Sequence, residues 1–252
     1  MASATSNFKM FNPEDVIRTS SASSLDEVVD VDAPSSPIAS SAGTNPASGA
    51  VLYYQLPEGY ADSLITLEIF NSNNQLVRSF SSKEDDDFIG FPGGPNPDAV
   101  LPTRKGLNRF VWDLRGEAIT GVPTVFIEGS YDGYRVAPGT YTLKLNSGKQ
   151  TVTTKVNLLP HPQMTATPAD YAAQEQLMKT ICDEVTLIHK EVLQNRKIRS
   201  QLKETSSLLK DKPGADSIIK KAGLLATDLQ NWEDEIVQNK AKANDDVINY
   251  VN

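Results

Sequence analysis

The densest chemistry-bearing residues in this chain are the carboxylates Glu84-Asp85-Asp86-Asp87. Adjacent carboxylates supply the oxygen ligands that calcium takes. The run lacks EF-hand spacing and lies in a Gly/Pro-rich stretch, so Asp85, Asp86 and Asp87 are weak metal candidates. A solvated charge run is the expectation there. A second candidate is Asp113, in GLNRFVWDLRG (106–116). Glycoside hydrolysis needs a second carboxylate at a defined distance. Glu117 is nearest in sequence, and Glu128 and Asp132 are the further candidates for a site where the strand-rich and helical regions meet. A third group is aromatic: Tyr131 and Tyr134, with Phe126 and Phe91, fall in or beside loops. Exposed rings there would stack on sugars as in carbohydrate-binding modules; the competing reading is that they close the open end of a core.

Other chemistries are excluded by what the chain lacks. One cysteine, Cys182, rules out an internal disulfide, and with only His161 and His189 beside it no thiolate zinc cluster can be assembled. Cys182 lies between Ile181 and Val185 on a helical pattern and is expected to be a buried, inert thiol. FPGGPNP (91–97) has neither the Lys-Ser/Thr pair nor the following helix of a phosphate loop, and no G-x-S-x-G elbow is present. His161, between Pro160 and Pro162, reads as a hinge residue. No catalytic residue and no cofactor is expected. The net charge of −8 repels phosphate backbones, so nucleic acid is not an expected partner. No apolar run approaches the roughly 18 residues of a membrane span. The first residues, MASATSNFKMFNPEDVIRTS, lack the basic and apolar regions of a signal peptide.

The elements that must position these groups follow from periodicity. Residues 19–49 are dense in Ser, Ala, Pro and Asp and read as a linker or a strap on a folded surface. Before it, Phe8, Met10, Phe11, Val16 and Ile17 are apolar enough to dock. AVLYYQL (50–56), LITLEIF (64–70), QLVRSF (75–80), LNRFVWDL (107–114), TYTLKLN (140–146) and QTVTTKVNLL (150–159) are strands. Within LITLEIF, alternation assigns Ile65, Leu67 and Ile69 to the core, and NSNN (71–74) is a hairpin turn. VPTVFIEGSYDGYRVAPG (122–139) is a strand remnant plus a loop. In the Trp-Asp strand, Phe110 and Trp112 share a face opposite Asp113 and Arg115, which makes Trp112 the expected core anchor. Trp-Asp occurs once, so a propeller within these residues is excluded.

From Thr167-Pro168-Ala169-Asp170 the period becomes helical. Met178, Ile181, Val185, Ile188 and Val192 form one stripe. After the break DKPGADS (211–217), Ile218, Ala222, Leu225, Leu229, Trp232 and Ile236 form another, resuming at Ala243 and Val247. Two amphipathic helices of roughly 30 to 40 residues, joined by a short turn, describe an antiparallel hairpin. Its stripes should face each other, the sandwich or a partner. The expected class is α+β: a strap over 1–49, an Ig-like antiparallel β-sandwich over 50–160, and a long antiparallel helical hairpin over 161–252.

The strands VLYYQLPEGYADSLITLEIFNSNNQLVRSF, the segment GLNRFVWDLRG and the hairpin VAPGTYTLKLNSGKQTVTTKVNL, with Pro138-Gly139-Thr140-Tyr141, resemble the FlgD-type Ig-like domain of bacterial exported proteins. In that hairpin Tyr141 joins Phe110 and Trp112 as a core anchor. The order of segments, from NFKMFNPEDVIR through NPASGAVLYY to TPADYAAQEQ, is similar to the C-terminal region of large secreted sortilin-like, BNR-repeat propeller proteins often labelled glycosyl hydrolases. The resemblance implies an exported module, part of a larger precursor, that packs on a β-propeller or another chain through its helical hairpin. The propeller is absent from these residues and the helical region looks cut short, so no enzyme activity is carried over. The expected role is structural or interactive, with glycans as the possible ligand of the carbohydrate-binding alternative.

Overall fold

The computed structural model describes residues 8–18, 47–60, 63–127, 129–148, 150–238 and 240–241. It contains two sheets and two helices, an α+β architecture of β-sandwich plus helical hairpin. The chain divides into two compact units, and these cut across the boundaries read from sequence. The first holds residues 1–86, 98–117 and 134–178; the second holds 87–97, 118–133 and 179–252. Two loop segments thus belong with the helical region, where sequence order alone had assigned them to the sandwich.

In the first unit, β1 (Lys9–Met10), β3 (Ala50–Leu56) and β6 (Gly106–Trp112) form one sheet in the order β1-β3-β6. The other sheet runs β2-β8-β7-β4-β5, from β2 (Val16–Ile17), β4 (Thr66–Phe70), β5 (Leu76–Ser81), β7 (Gly139–Asn146) and β8 (Thr151–Leu159). Every pairing within residues 50–160 is antiparallel, as expected; β1 adds to its sheet antiparallel and β2 to its own in parallel. Two-residue alternation sets the core as expected: Ile65, Leu67 and Ile69 are buried, as are Leu52, Tyr54 and Leu56 on β3. The two sheets meet through aromatic pairs. Trp112 meets Tyr141 edge to face at 5.3 Å, and Phe80 meets Phe110 at 4.8 Å.

The segment before the strap does dock. Phe8 is buried and stacks on Tyr60, and the chain then passes from one sheet to the other between β1 and β2. Thr154 donates to Asn12 Oδ1 at 2.7 Å and Asn157 donates to Asp15 Oδ1 at 2.9 Å, fixing this crossing on β8. The hairpin turn at 71–74 closes with Asn74 at φ 57°, a conformation Asn tolerates, while Asn71 Oδ1 accepts from the main chain of Asn73 and Gln75.

Helix α1 (Pro168–Leu209) starts as expected: Asp170 N–H donates to Thr167 Oγ1, and Thr167 N–H donates to Asp170 Oδ2, a reciprocal cap. The Thr167 N–H, with the Thr167 hydroxyl donating to the same oxygen, holds the Asp170 carboxyl below its ordinary value. Helix α2 (Asp216–Ile236) has 21 residues, shorter than expected. It stops where Val237 turns extended (φ −120°, ψ 133°); beyond it Ala241 is again buried. Ala243 and Val247 lie outside the described residues.

Candidate functional site

The proposed sandwich anchors are where the sequence puts them. Trp112 is fully buried, and Phe110 and Tyr141 are buried with it. Trp112 Nε1 donates to the Arg115 carbonyl at 3.0 Å. That bond curls the chain back at Leu114, which takes φ 62°, so the strand ends at Trp112 and not at residue 114. Tyr141 donates to the Ala137 carbonyl, and Ala137 N–H donates to Glu175 Oε2 on the first turns of α1. Burial pushes the Glu175 carboxyl above the ordinary carboxylate value, against the opposing pull of the Ala137 N–H and Arg18. Arg18, from the end of β2, donates to Gln174 and lies over the Tyr171 ring. The meeting of Arg18, Tyr141, Tyr171 and Glu175 was invisible in sequence, because these residues are separated by up to 157 positions.

The acidic run does not form a metal site among the described residues. Asp85, Asp86 and Asp87 are exposed, and among the described residues no three His, Cys, Asp or Glu side chains converge as a metal site would require. Asp113 is exposed and accepts locally from Arg115 N–H. Glu117 turns away to β5, where it accepts from Ser79 N–H at 3.0 Å and lies 3.4 Å from Arg78. Asp132 belongs to the second unit and Asp113 to the first; Glu128 lies outside the described residues.

Tyr131 and Tyr134 are both buried, 7% and 8% exposed. In the second unit Tyr131 meets Phe91 edge to face at 6.4 Å and lies beside His189. Its hydroxyl is buried without a hydrogen-bond partner among the described residues, and burial raises its pKa. In the first unit the Tyr134 ring covers Gly116, where an added Cβ would come within 2.4 Å of it. Rings so placed offer no open face for a sugar to stack on.

The second unit is organised by groups that the sequence stripes did not reveal. His189 is buried, with Nδ1 2.5 Å from the Thr120 carbonyl. Val122, Val125, Val192 and Val237 form a small core, and Arg196 donates to the Pro123 carbonyl. Glu233, 1% exposed, accepts from both Arg196 and Arg199. Cys182 is buried as expected. The helix faces match those read in the sequence only in part: Val192 of the expected stripes is buried and Val185, Ala222 and Leu229 are half-buried. On α1 the buried positions include Cys182, His189, Val192 and Asn195, whereas Met178, Ile181 and Ile188 are exposed. On α2, Ile219, Ala222 and Ala226 are partly covered and Glu233 is buried, whereas Ile218, Leu225, Trp232 and Ile236 are exposed. Sequence reading followed the largest apolar residues. The fold buries a face of small and hydrogen-bonded ones.

No protein-family model, curated protein or solved structure matches this chain. Among the described residues no helix is long and apolar enough to cross a membrane.

Proposed function

We propose that this chain is a non-catalytic structural and interaction module that docks a neighbouring domain or chain through its helical hairpin. The supporting observation is the apolar stripe left open on α2: Ile218, Leu225, Trp232 and Ile236 are 57%, 47%, 39% and 37% exposed. Side chains of this size, aligned at helical spacing and uncovered, mark an interaction surface. The likeness of NRFVWDLR and APGTY to the FlgD-type Ig-like domain favours a β-propeller as the neighbour and export within a larger precursor as the setting. The buried rings of Tyr131 and Tyr134 weigh against the carbohydrate-binding alternative.

The test compares the full chain with a Leu225→Glu, Trp232→Glu variant by sedimentation velocity and by binding of an apolar fluorescent dye. The wild-type chain is expected to bind dye and self-associate; the variant is expected to do neither while unfolding at a similar temperature. Glycoside hydrolysis that disappears in Asp113→Asn or Asp132→Asn would sink this reading.

A further inference from the structure

We propose that the open edge of β6 is a docking site for an extended, acidic segment of a partner protein, which adds to the three-stranded sheet as a further strand. This surface is distinct from the helix face above. β6 is the outer strand of its sheet and pairs with β3 along its whole length, from Gly106 opposite Leu56 to Trp112 opposite Ala50. On the other side of β3, Phe11 N–H donates to the Tyr53 carbonyl at 2.9 Å. In an antiparallel ladder a residue's N–H and C=O point the same way, and successive residues alternate. Tyr53 therefore directs its main chain toward β1, and its partner Arg109 directs its own away from β3. Leu107, Arg109 and Val111 thus present N–H and C=O groups at the sheet edge, and no hydrogen bond from a described residue reaches them. Such a row is a template for strand addition.

The far edge of the other sheet is guarded. On β5, Ser79 N–H is taken by Glu117, and the Ser81 carbonyl accepts from Leu101 N–H at 2.9 Å. β6 has no equivalent cover among the described residues.

Charge and shape define the occupant. The edge begins RKGLNR, with Arg104, Lys105 and Arg109 and no acid, in a chain of net charge −8. Lys105 is engaged by Glu58 at 2.8 Å, while exposed Arg109 has no ion pair among the described residues. On the same face of the sheet Leu107 is 62% exposed and Tyr53 42%. A second copy paired through β6 about Arg109 would set Arg109 against Arg109, which is unfavourable. The fitting strand carries an acid opposite Arg109 and apolar residues opposite Leu107 and Val111.

The full chain is titrated with a fluorescent peptide Thr-Val-Thr-Glu-Thr-Val-Thr and with its Glu-to-Lys counterpart, following anisotropy and amide exchange. The Glu peptide is expected to bind about fivefold more tightly, the size of a favourable cross-strand charge pair. It should protect the amides of Leu107, Arg109 and Val111, and Arg109→Glu should reverse the preference. Leu107→Pro removes one outward donor without touching the β3 ladder and should weaken binding about tenfold; Arg109→Glu decides alone if that variant does not fold. Equal binding of both peptides, or no protection at those amides, overturns the proposal. So does a dimer abolished by Leu107→Pro. So does edge protection in the free chain that is lost on Glu27→Lys, which would assign the edge to the chain's own Leu25-Asp26-Glu27-Val28-Val29, outside the described residues.

Discussion

Arg196 Nε donates to Glu233 Oε1 at 2.8 Å, and this bond joins the two helices of the hairpin across a carboxylate that is almost wholly buried. Arg199 takes the other oxygen, and Arg196 also reaches the Pro123 carbonyl at 2.6 Å. A charge removed from water to this degree is tolerated only because its partners are in place.

Glu233→Ala is therefore expected to cost about 3 kcal/mol, since it strands two arginines whose side chains are 25% and 19% exposed beside an emptied site. Chemical denaturation of the variant measures this. A loss below about 1 kcal/mol, the range of an exposed ion pair, would show that the triad contributes little to holding α2.

Glu175 gives a pH dependence of definite sign. Its folded carboxyl lies above its unfolded value, chiefly through burial, so the folded chain keeps a proton that the unfolded chain has released. The stability it contributes is fully present below the unfolded value and is lost as pH rises through the folded one. Glu175→Gln keeps an acceptor for Ala137 N–H and abolishes that loss. The variant's melting temperature relative to wild type is expected to be higher at pH 7 than at pH 4. An equal difference at both pH values would contradict the shift.

Tyr131→Phe deletes a buried hydroxyl that has no partner among the described residues. The expected effect is between neutral and about 1 kcal/mol of stabilisation, since only an unpaired polar group is removed. A destabilisation beyond that in thermal unfolding would mean the hydroxyl is bonded in solution.

Gly49→Ala tests the start of β3. The position has φ 153°, and an added Cβ would lie 2.2 Å from the Trp112 carbonyl oxygen. Neither main chain can yield without breaking the pairing of Ala50 with Trp112. A loss of about 1–3 kcal/mol is expected, and an unchanged melting temperature would disprove the constraint.

The sandwich was legible because two-residue alternation is a local property. Ile65, Leu67 and Ile69 could be assigned to the core from their own spacing, as could Phe110 with Trp112. The start of α1 was legible for the same reason, its cap being confined to Thr167–Asp170. Aromatic character, by contrast, does not tell a ring that closes a core from one that meets a ligand. For Tyr131 and Tyr134 only burial separates the two.

By itself the sequence determined the six strands between Ala50 and Leu159, the start of α1 and the turn between the helices, because each is written in neighbouring residues; it did not mark Lys9–Met10 and Val16–Ile17 as strands, and the strand remnant expected within 122–139 is absent among the described residues. Tertiary structure alone decided which helix face is covered, since Glu233 could be buried only where Arg196 and Arg199 meet it from another helix. It also decided which strand lies at the edge of its sheet. Strand order depends on pairings between distant segments, and β6 became an edge only once β3 had taken one of its sides.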